Sequence, residues 1–141
     1  MRRMGRRIAM TLVLVLLPVA HATAASGVPI TVSPKIGAAG TTFAVSFVAP
    51  ATTGIVAGKH VRDELTVTSR STSTACRSSV TLMLSTMRKG RHVRVRLGSG
   101  WCKGAFTGKL AELASPVCPP GSMCPMYIRY RVLGAFSFAV H

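Results

Sequence analysis

Acidic residues are almost absent from this chain of 141 residues. It contains three of them, Asp63, Glu64 and Glu112, against 18 lysines and arginines, which gives a formal net charge of +15 at pH 7. Glycoside hydrolysis needs two facing carboxylates, whereas the adjacent Asp63 and Glu64 would point to opposite faces of a strand. His60 lies close to Asp63, but no G-x-S-x-G pattern supplies the nucleophile of a Ser-His-Asp hydrolase. The sequence therefore predicts a protein that is not an enzyme and has no catalytic residues, with a small secreted hydrolase as the disfavoured alternative.

Motifs for cofactors and metals are missing as well. The chain has no H-E-x-x-H, no P-loop and no dinucleotide-binding fingerprint, so we expect neither a cofactor nor a metal site. Soft ligands of the kind that Cu(I) prefers occur in two groups. They are Cys118, Met123, Cys124 and Met126 in one group, and Met83, Met87 and His92 in the other. Methionine more often fills gaps in protein cores, so a copper carrier is a second disfavoured alternative.

Long hydrophobic runs are confined to the N-terminus. Four arginines within the first seven residues precede an uncharged apolar stretch at 8–20, and small residues follow at 22–26. The apolar stretch is shorter than the roughly 20 residues that a membrane-spanning helix needs, and the three parts together are typical of a signal peptide. We expect a helical signal peptide over 1–24 that is cleaved after Ala24, with retention as an N-terminal anchor as the alternative.

Cleavage would leave a single domain at 25–141. Loss of the four leader arginines leaves 14 basic residues against three acidic ones, a net charge of +11. The positive charge therefore belongs to the domain and is more than part of an export signal. No second hydrophobic segment follows near the C-terminus, so we expect a protein that is secreted or associated with the cell envelope, without a transmembrane span.

The four cysteines, Cys76, Cys102, Cys118 and Cys124, predict two disulfides in an exported chain. Four cysteines allow three pairings. We favour Cys76–Cys102, which would tie two segments across the core, and Cys118–Cys124, which would close a short loop containing two prolines and a glycine.

Alternation of apolar and polar residues with period two continues through the rest of the chain, as expected for half-buried strands. The alternating runs occupy residues 43–47, 65–67, 80–84, 93–97 and 136–140. Segments rich in glycine and proline separate them, and no stretch after the leader has a helical period. The pattern predicts an all-β antiparallel sandwich of about seven strands. Segments 101–113 and 126–140 are predicted to form a long hairpin with the Cys118–Cys124 loop at its tip.

Three parts of the chain support a resemblance to a known group of proteins. They are residues 30–34 with 40–47, residues 101–106, and residues 118–129. The first pair looks like the opening two strands of bacterial immunoglobulin-like domains. Together the segments resemble small exported immunoglobulin-like β-sandwich proteins of high-GC Gram-positive bacteria that have no assigned activity. The resemblance implies an immunoglobulin-like sandwich outside the cell and no catalytic residues.

Basic residues cluster in one part of the chain. Arg88, Lys89, Arg91, Arg94 and Arg96 lie within nine residues, and on a strand His92, Arg94 and Arg96 would share one face. A second pair, Arg129 and Arg131, would also share a face. Such a surface would attract an anionic cell-envelope polymer through a salt-sensitive field. Few aromatic residues accompany it, so specific nucleic-acid binding is not expected.

The sequence thus predicts an exported, disulfide-stabilised immunoglobulin-like module with a non-catalytic binding or structural role at the cell surface or in the medium. A cationic binder of envelope polyanions that acts through segment 88–96 is the leading alternative.

Overall fold

The structure, a computed structural model, describes residues 27–84, 86–124 and 128–141. The predicted signal peptide at 1–24 lies outside these ranges. The described residues form nine strands and no helix, which confirms the all-β class. The strands are β1 (Thr31–Ser33), β2 (Ile36–Gly37), β3 (Phe43–Val48), β4 (Gly54–Val56), β5 (Lys59–Ser69), β6 (Ser79–Leu84), β7 (His92–Gly98), β8 (Gly104–Pro116) and β9 (Arg129–Val140). No helix suited to crossing a membrane occurs among the described residues.

The strands form two sheets. The smaller sheet has the order β1-β3-β7, and the larger has the order β2-β9-β8-β5, with β4 and β6 sharing the outer edge of β5. All pairings are antiparallel except that of β2 with β9. The count exceeds the predicted seven because β2 and β4, of two and three residues, are too short to show alternation.

The core lies between the facing surfaces of the two sheets. The period-two prediction is confirmed on β3, where Phe43, Val45 and Phe47 are buried, and on β9, where Phe138 and Val140 are buried. The rings of Phe43 and Phe138 pack across the gap with centroids 4.3 Å apart. We call the core-lining side of the larger sheet its inner face.

The predicted long hairpin is present, with different ends from those expected. Its arms are β8 and β9, so the first arm begins at Gly104 and extends past residue 113 to Pro116. Trp101 precedes the arm and makes an isolated bridge with Arg77. A bulge lies where the pairing Leu110–Gly134 is followed by Ala111–Val132, which skips residue 133. The extra residue reverses which side chains of β9 face the core.

One end of the larger sheet extends past the core. We call residues 54–62, 111–117 and 128–132 the open end. Lys59, Arg129 and Arg131 occupy its inner face and are exposed, and Val61 is half-buried. The smaller sheet therefore does not cover this end.

Gly108 lies directly against a phenylalanine ring in the larger sheet. It pairs directly with Phe136 on β9, and a Cβ at position 108 would overlap the Phe136 ring. We expect Gly108→Ala to lower the free energy of unfolding by about 1–3 kcal/mol, because the ring has to leave its rotamer. Urea denaturation of the two proteins measures this difference.

Gly40→Ala is the matched control for this substitution. A Cβ at position 40 would meet no atom within 4 Å, so a change below about 0.5 kcal/mol is expected there. Equal losses at positions 40 and 108 would contradict the packing explanation.

Candidate functional site

The outward side of β7 carries a row of basic side chains. His92, Arg94 and Arg96 are exposed, while the intervening Val93 and Val95 are half-buried on the core side. The alternation thus places the three basic side chains on one face, as the sequence predicts. We call these three residues, together with Arg88, Lys89 and Arg91, the cationic face.

The neighbours of this row are uncharged. On β3, Arg96 pairs with Ala44, Arg94 with Ser46 and His92 with Val48. On β1 beyond, Thr31 and Ser33 complete the same side of the sheet. All three acidic residues of the chain are on β5 and β8 of the larger sheet. The positive charge of the smaller sheet is therefore not neutralised within it.

The segment before β7 holds its basic residues on a fixed backbone. Met87 is buried, and its N–H donates to Thr53 Oγ1 at 2.8 Å. The Lys89 N–H donates to Thr52 Oγ1 at 3.2 Å. The side chains of Arg88, Lys89 and Arg91 are exposed, so they extend from a supported turn at the end of the smaller sheet.

Arg129 and Arg131 are not part of this face. They pair with Ala114 and Glu112 on β8, so they share one face with each other, but that face belongs to the larger sheet. Arg131 Nη2 lies 3.2 Å from Glu112 Oε1 and forms the ion pair found in the described part of the chain. The structure therefore divides the seven predicted polyanion-binding residues between two surfaces.

A pair of carboxylates lies where the core meets the open end. Asp63 on β5 pairs directly with Glu112 on β8, which pairs in turn with Arg131 on β9. Asp63 is fully buried, and neither carboxylate oxygen has a hydrogen-bond partner among the described residues. Burial, together with the charge of Glu112, raises the pKa of Asp63 to about 6, although Arg131 acts in the opposite direction.

Sequence reasoning missed this pair. Asp63 has Glu64 beside it in the chain, whereas the acid that faces it is Glu112, on the adjacent strand. Only the register between β5 and β8 brings the two carboxylates together, and no local pattern in the sequence specifies that register.

A pocket of about 240 Å³ opens beside the carboxylates, on the inner face of the open end. Its apolar walls include Val61, Ala114 and Pro116, and its charged lining is Lys59, Glu112 and Arg129. Two cations and one carboxylate therefore surround a small apolar floor.

The arrangements considered for hydrolysis and copper binding are not assembled among the described residues. His60 is exposed, and because it precedes Asp63 by three residues on β5, the two side chains point to opposite faces. Met83 lies on the larger sheet opposite Glu64, His92 lies on the smaller sheet and Met87 is in the core. Met126, from the other copper group, lies outside the described residues.

Both disulfides join the cysteines that the sequence analysis favours. Cys76 is bonded to Cys102, which is buried beside Trp101 in the core. Cys118 is bonded to Cys124 in the loop between β8 and β9, so neither presents a thiolate to a metal. Two disulfides in a small β-rich chain are consistent with a stabilised module in an oxidising extracellular environment.

Comparisons with known proteins identify no relative, since no protein-family model, no curated protein and no solved structure matches the chain.

Proposed function

We propose that the chain is an exported immunoglobulin-like module that binds anionic polymers of the cell envelope through its cationic face, without catalysis. The fold assignment is supported by how the strands are divided between the sheets. Without the short β2 and β4, seven strands remain, and the first, second and fifth of these form one sheet. The third, sixth and seventh lie together in the other, which is the division of an immunoglobulin sandwich. The fourth, β6, pairs with β5 as an added edge strand does in variable-type domains.

Export is supported by the predicted leader at 1–24 and by the two disulfides. The +11 charge of the chain without this leader would draw it to anionic polymers over several ångströms, because the summed field of like charges acts beyond contact distance. Salt weakens such attraction, with a Debye length of about 8 Å at physiological ionic strength.

The observation that carries the binding proposal is the exposure of Arg94 and Arg96 on a sheet without an acidic residue. A carboxylate beside a surface arginine neutralises its charge. No carboxylate lies on this sheet, so Arg94 and Arg96 remain available to an anionic ligand. Their spacing follows from the strand, where alternate residues lie about 6.6–6.8 Å apart along one face. Sulfate, phosphate or carboxylate groups repeated along a polymer could be contacted by both arginines at once.

The double substitution R94Q/R96Q tests this assignment. We expect the variant to elute from immobilised heparin, and from purified cell wall, at a lower salt concentration than the parent. The slope of log affinity against log salt should fall by about 2, since two anion contacts are lost.

R62Q/R70Q is the matched control. Arg62 and Arg70 are exposed and lie outside the smaller sheet, so this control has the same net charge as R94Q/R96Q. Equal loss of retention in the two variants would refute the assignment to the cationic face and leave only an effect of total charge.

A further inference from the structure

The open-end pocket is formed by a small residue among larger neighbours. Ala114 on β8 lies between Val61 on β5 and Arg129 on β9 in one row across the sheet. Along β8, Glu112 and Pro116 project from the same face on either side of it. A methyl group thus forms the floor of a depression whose walls are longer side chains. At about 240 Å³, the pocket is below the usual range for drug-sized ligands, which limits an occupant to roughly one sugar or polyol unit.

The charges around this floor are ordered along the strands. Lys59 and Arg129 line the pocket with Val61 and Ala114, whereas Glu112 lies one row nearer the core, between Asp63 and Arg131. With the carboxylates ionised, the three cations and two carboxylates of this set carry a net charge of +1. The pocket therefore has a cationic end at the rim and one carboxylate acceptor, Glu112, at its inner end.

We propose that this pocket binds a small hydroxylated anion, such as a uronate or a polyol phosphate unit. The anionic group lies between Lys59 and Arg129, and a hydroxyl donates to Glu112. A zwitterion fits less well, because its ammonium would compete with Arg131 for Glu112 and its net charge of zero would not balance that of the pocket. A ligand hydroxyl needs only an acceptor, and Glu112 can still accept its hydrogen bond while it is paired with Arg131.

The buried Asp63 lies next to Glu112, behind the inner end of the pocket. It is fully buried on the same face as Glu112, and both its oxygens lack partners among the described residues. Asp63 does not line the pocket, so it acts on an occupant through its charge and not by contact. Across the strands Asp63 faces Glu112, Arg131 beyond it and the apolar Leu84, and β4 carries no charged residue.

NMR titration of the ¹⁵N-labelled chain 25–141 tests the proposal with four probes: glucuronate, sn-glycerol 3-phosphate, glucose and inorganic phosphate. We expect saturable shifts at the amides of Val61, Ala114 and Arg129 with the first two probes. Glucose and inorganic phosphate should each bind at least tenfold more weakly. A stronger response to glucuronate would identify a carboxylated sugar as the source of the anion, and a stronger response to glycerol phosphate a polyol phosphate.

Substitutions in the pocket make the assignment specific. Ala114→Leu fills the depression without changing charge, and Arg129→Gln removes an exposed charge. Each should weaken binding by roughly tenfold. Arg62→Gln, on the opposite face of β5, should change it less than twofold. Because Arg129 is exposed, R129Q remains informative even if A114L does not fold.

Three results would overturn the proposal: glucose binding as tightly as glucuronate, phosphate binding as tightly as glycerol phosphate, or equal losses in R129Q and R62Q. None of them bears on heparin retention by the cationic face, so the two proposals fail separately. Glucuronate should also bind severalfold more tightly at pH 5 than at pH 7, because protonation of Asp63 removes a negative charge near the pocket. Asp63→Asn should abolish that dependence.

Discussion

Replacing Trp101 with alanine is expected to lower the free energy of unfolding by about 3–5 kcal/mol, the range for removing a large aromatic side chain from a core. Trp101 is 1% exposed, and its ring makes edge contacts with Phe43, Phe106 and Phe138 at centroid distances of 6.5, 5.1 and 5.5 Å. It therefore joins aromatic residues of both sheets. Its Nε1–H donates to the Gly98 carbonyl at 2.9 Å, which also ties it to the end of β7.

The substitution should also loosen the segment at 76–77, which packs against Trp101. Arg77 lies over the indole with its guanidinium carbon 5.3 Å from the ring centroid, and its Nη1 donates to the Leu97 carbonyl at 2.6 Å. Cys102, the next residue along, is bonded to Cys76. Loss of the indole removes the surface on which this cross-linked segment packs.

Guanidinium denaturation of the wild type, Trp101→Ala and Trp101→Phe measures the effect. The phenylalanine variant keeps an aromatic ring but loses the N–H donor, so we expect it to lose about 1–2 kcal/mol. A loss below 1 kcal/mol in Trp101→Ala would mean that the indole does not hold the two sheets together.

The alternation along single strands could be predicted from the sequence, because burial on one side of a strand is a local property of every second residue. The side of β7 that carries Arg94 and Arg96 follows from Val93, Val95 and Leu97 alone. The outward row could therefore be predicted without knowledge of which strands flank it.

Relations between distant strands were less accessible. The pairing of Asp63 with Glu112 depends on a register across 49 positions, which is set by the packing of the whole larger sheet. The bulge at residue 133 is equally hidden. Without it, the alternation that buries Phe136 and Phe138 would place Tyr130 on the inner face and Arg131 on the outer one. One extra residue thus decides that Arg129 and Arg131 lie beside the pocket.

Short elements and strand ends were also missed, for a different reason. β4 and β5 form a hairpin whose turn, at Ala57 and Gly58, has φ values of 49° and 72°. Segment 50–58 lies between the alternating runs and shows no pattern of its own, since the three residues of β4 cannot display a period. Yet this hairpin positions Lys59 at the rim of the pocket, so part of the candidate site lies where local patterns carry least information.

Asp63→Asn is expected to flatten the dependence of stability on pH between about 4 and 6. The pKa of Asp63 is about 6 in the folded chain against an ordinary value of 3.8, so in this range the folded state holds a proton that the unfolded state has lost. By linkage, the free energy of unfolding then falls as pH rises, by up to about 3 kcal/mol over the full window. Below pH 4 both states are protonated and this loss is absent. Above pH 6 it is complete.

Urea denaturation of the wild type, Asp63→Asn and Glu64→Gln at pH 4, 5, 6 and 7 measures this slope. Glu64→Gln removes the same charge one residue away, on the outward face of β5, where Glu64 accepts a hydrogen bond from the Thr66 hydroxyl. It should leave the slope unchanged, whereas Asp63→Asn should gain stability relative to wild type as pH rises from 4 to 7. Parallel curves of unfolding free energy against pH for the wild type and Asp63→Asn would show that ionisation of the buried carboxyl does not destabilise the folded state. They would also remove the expected pH dependence of ligand binding in the adjacent pocket, because both effects require the same protonation of Asp63.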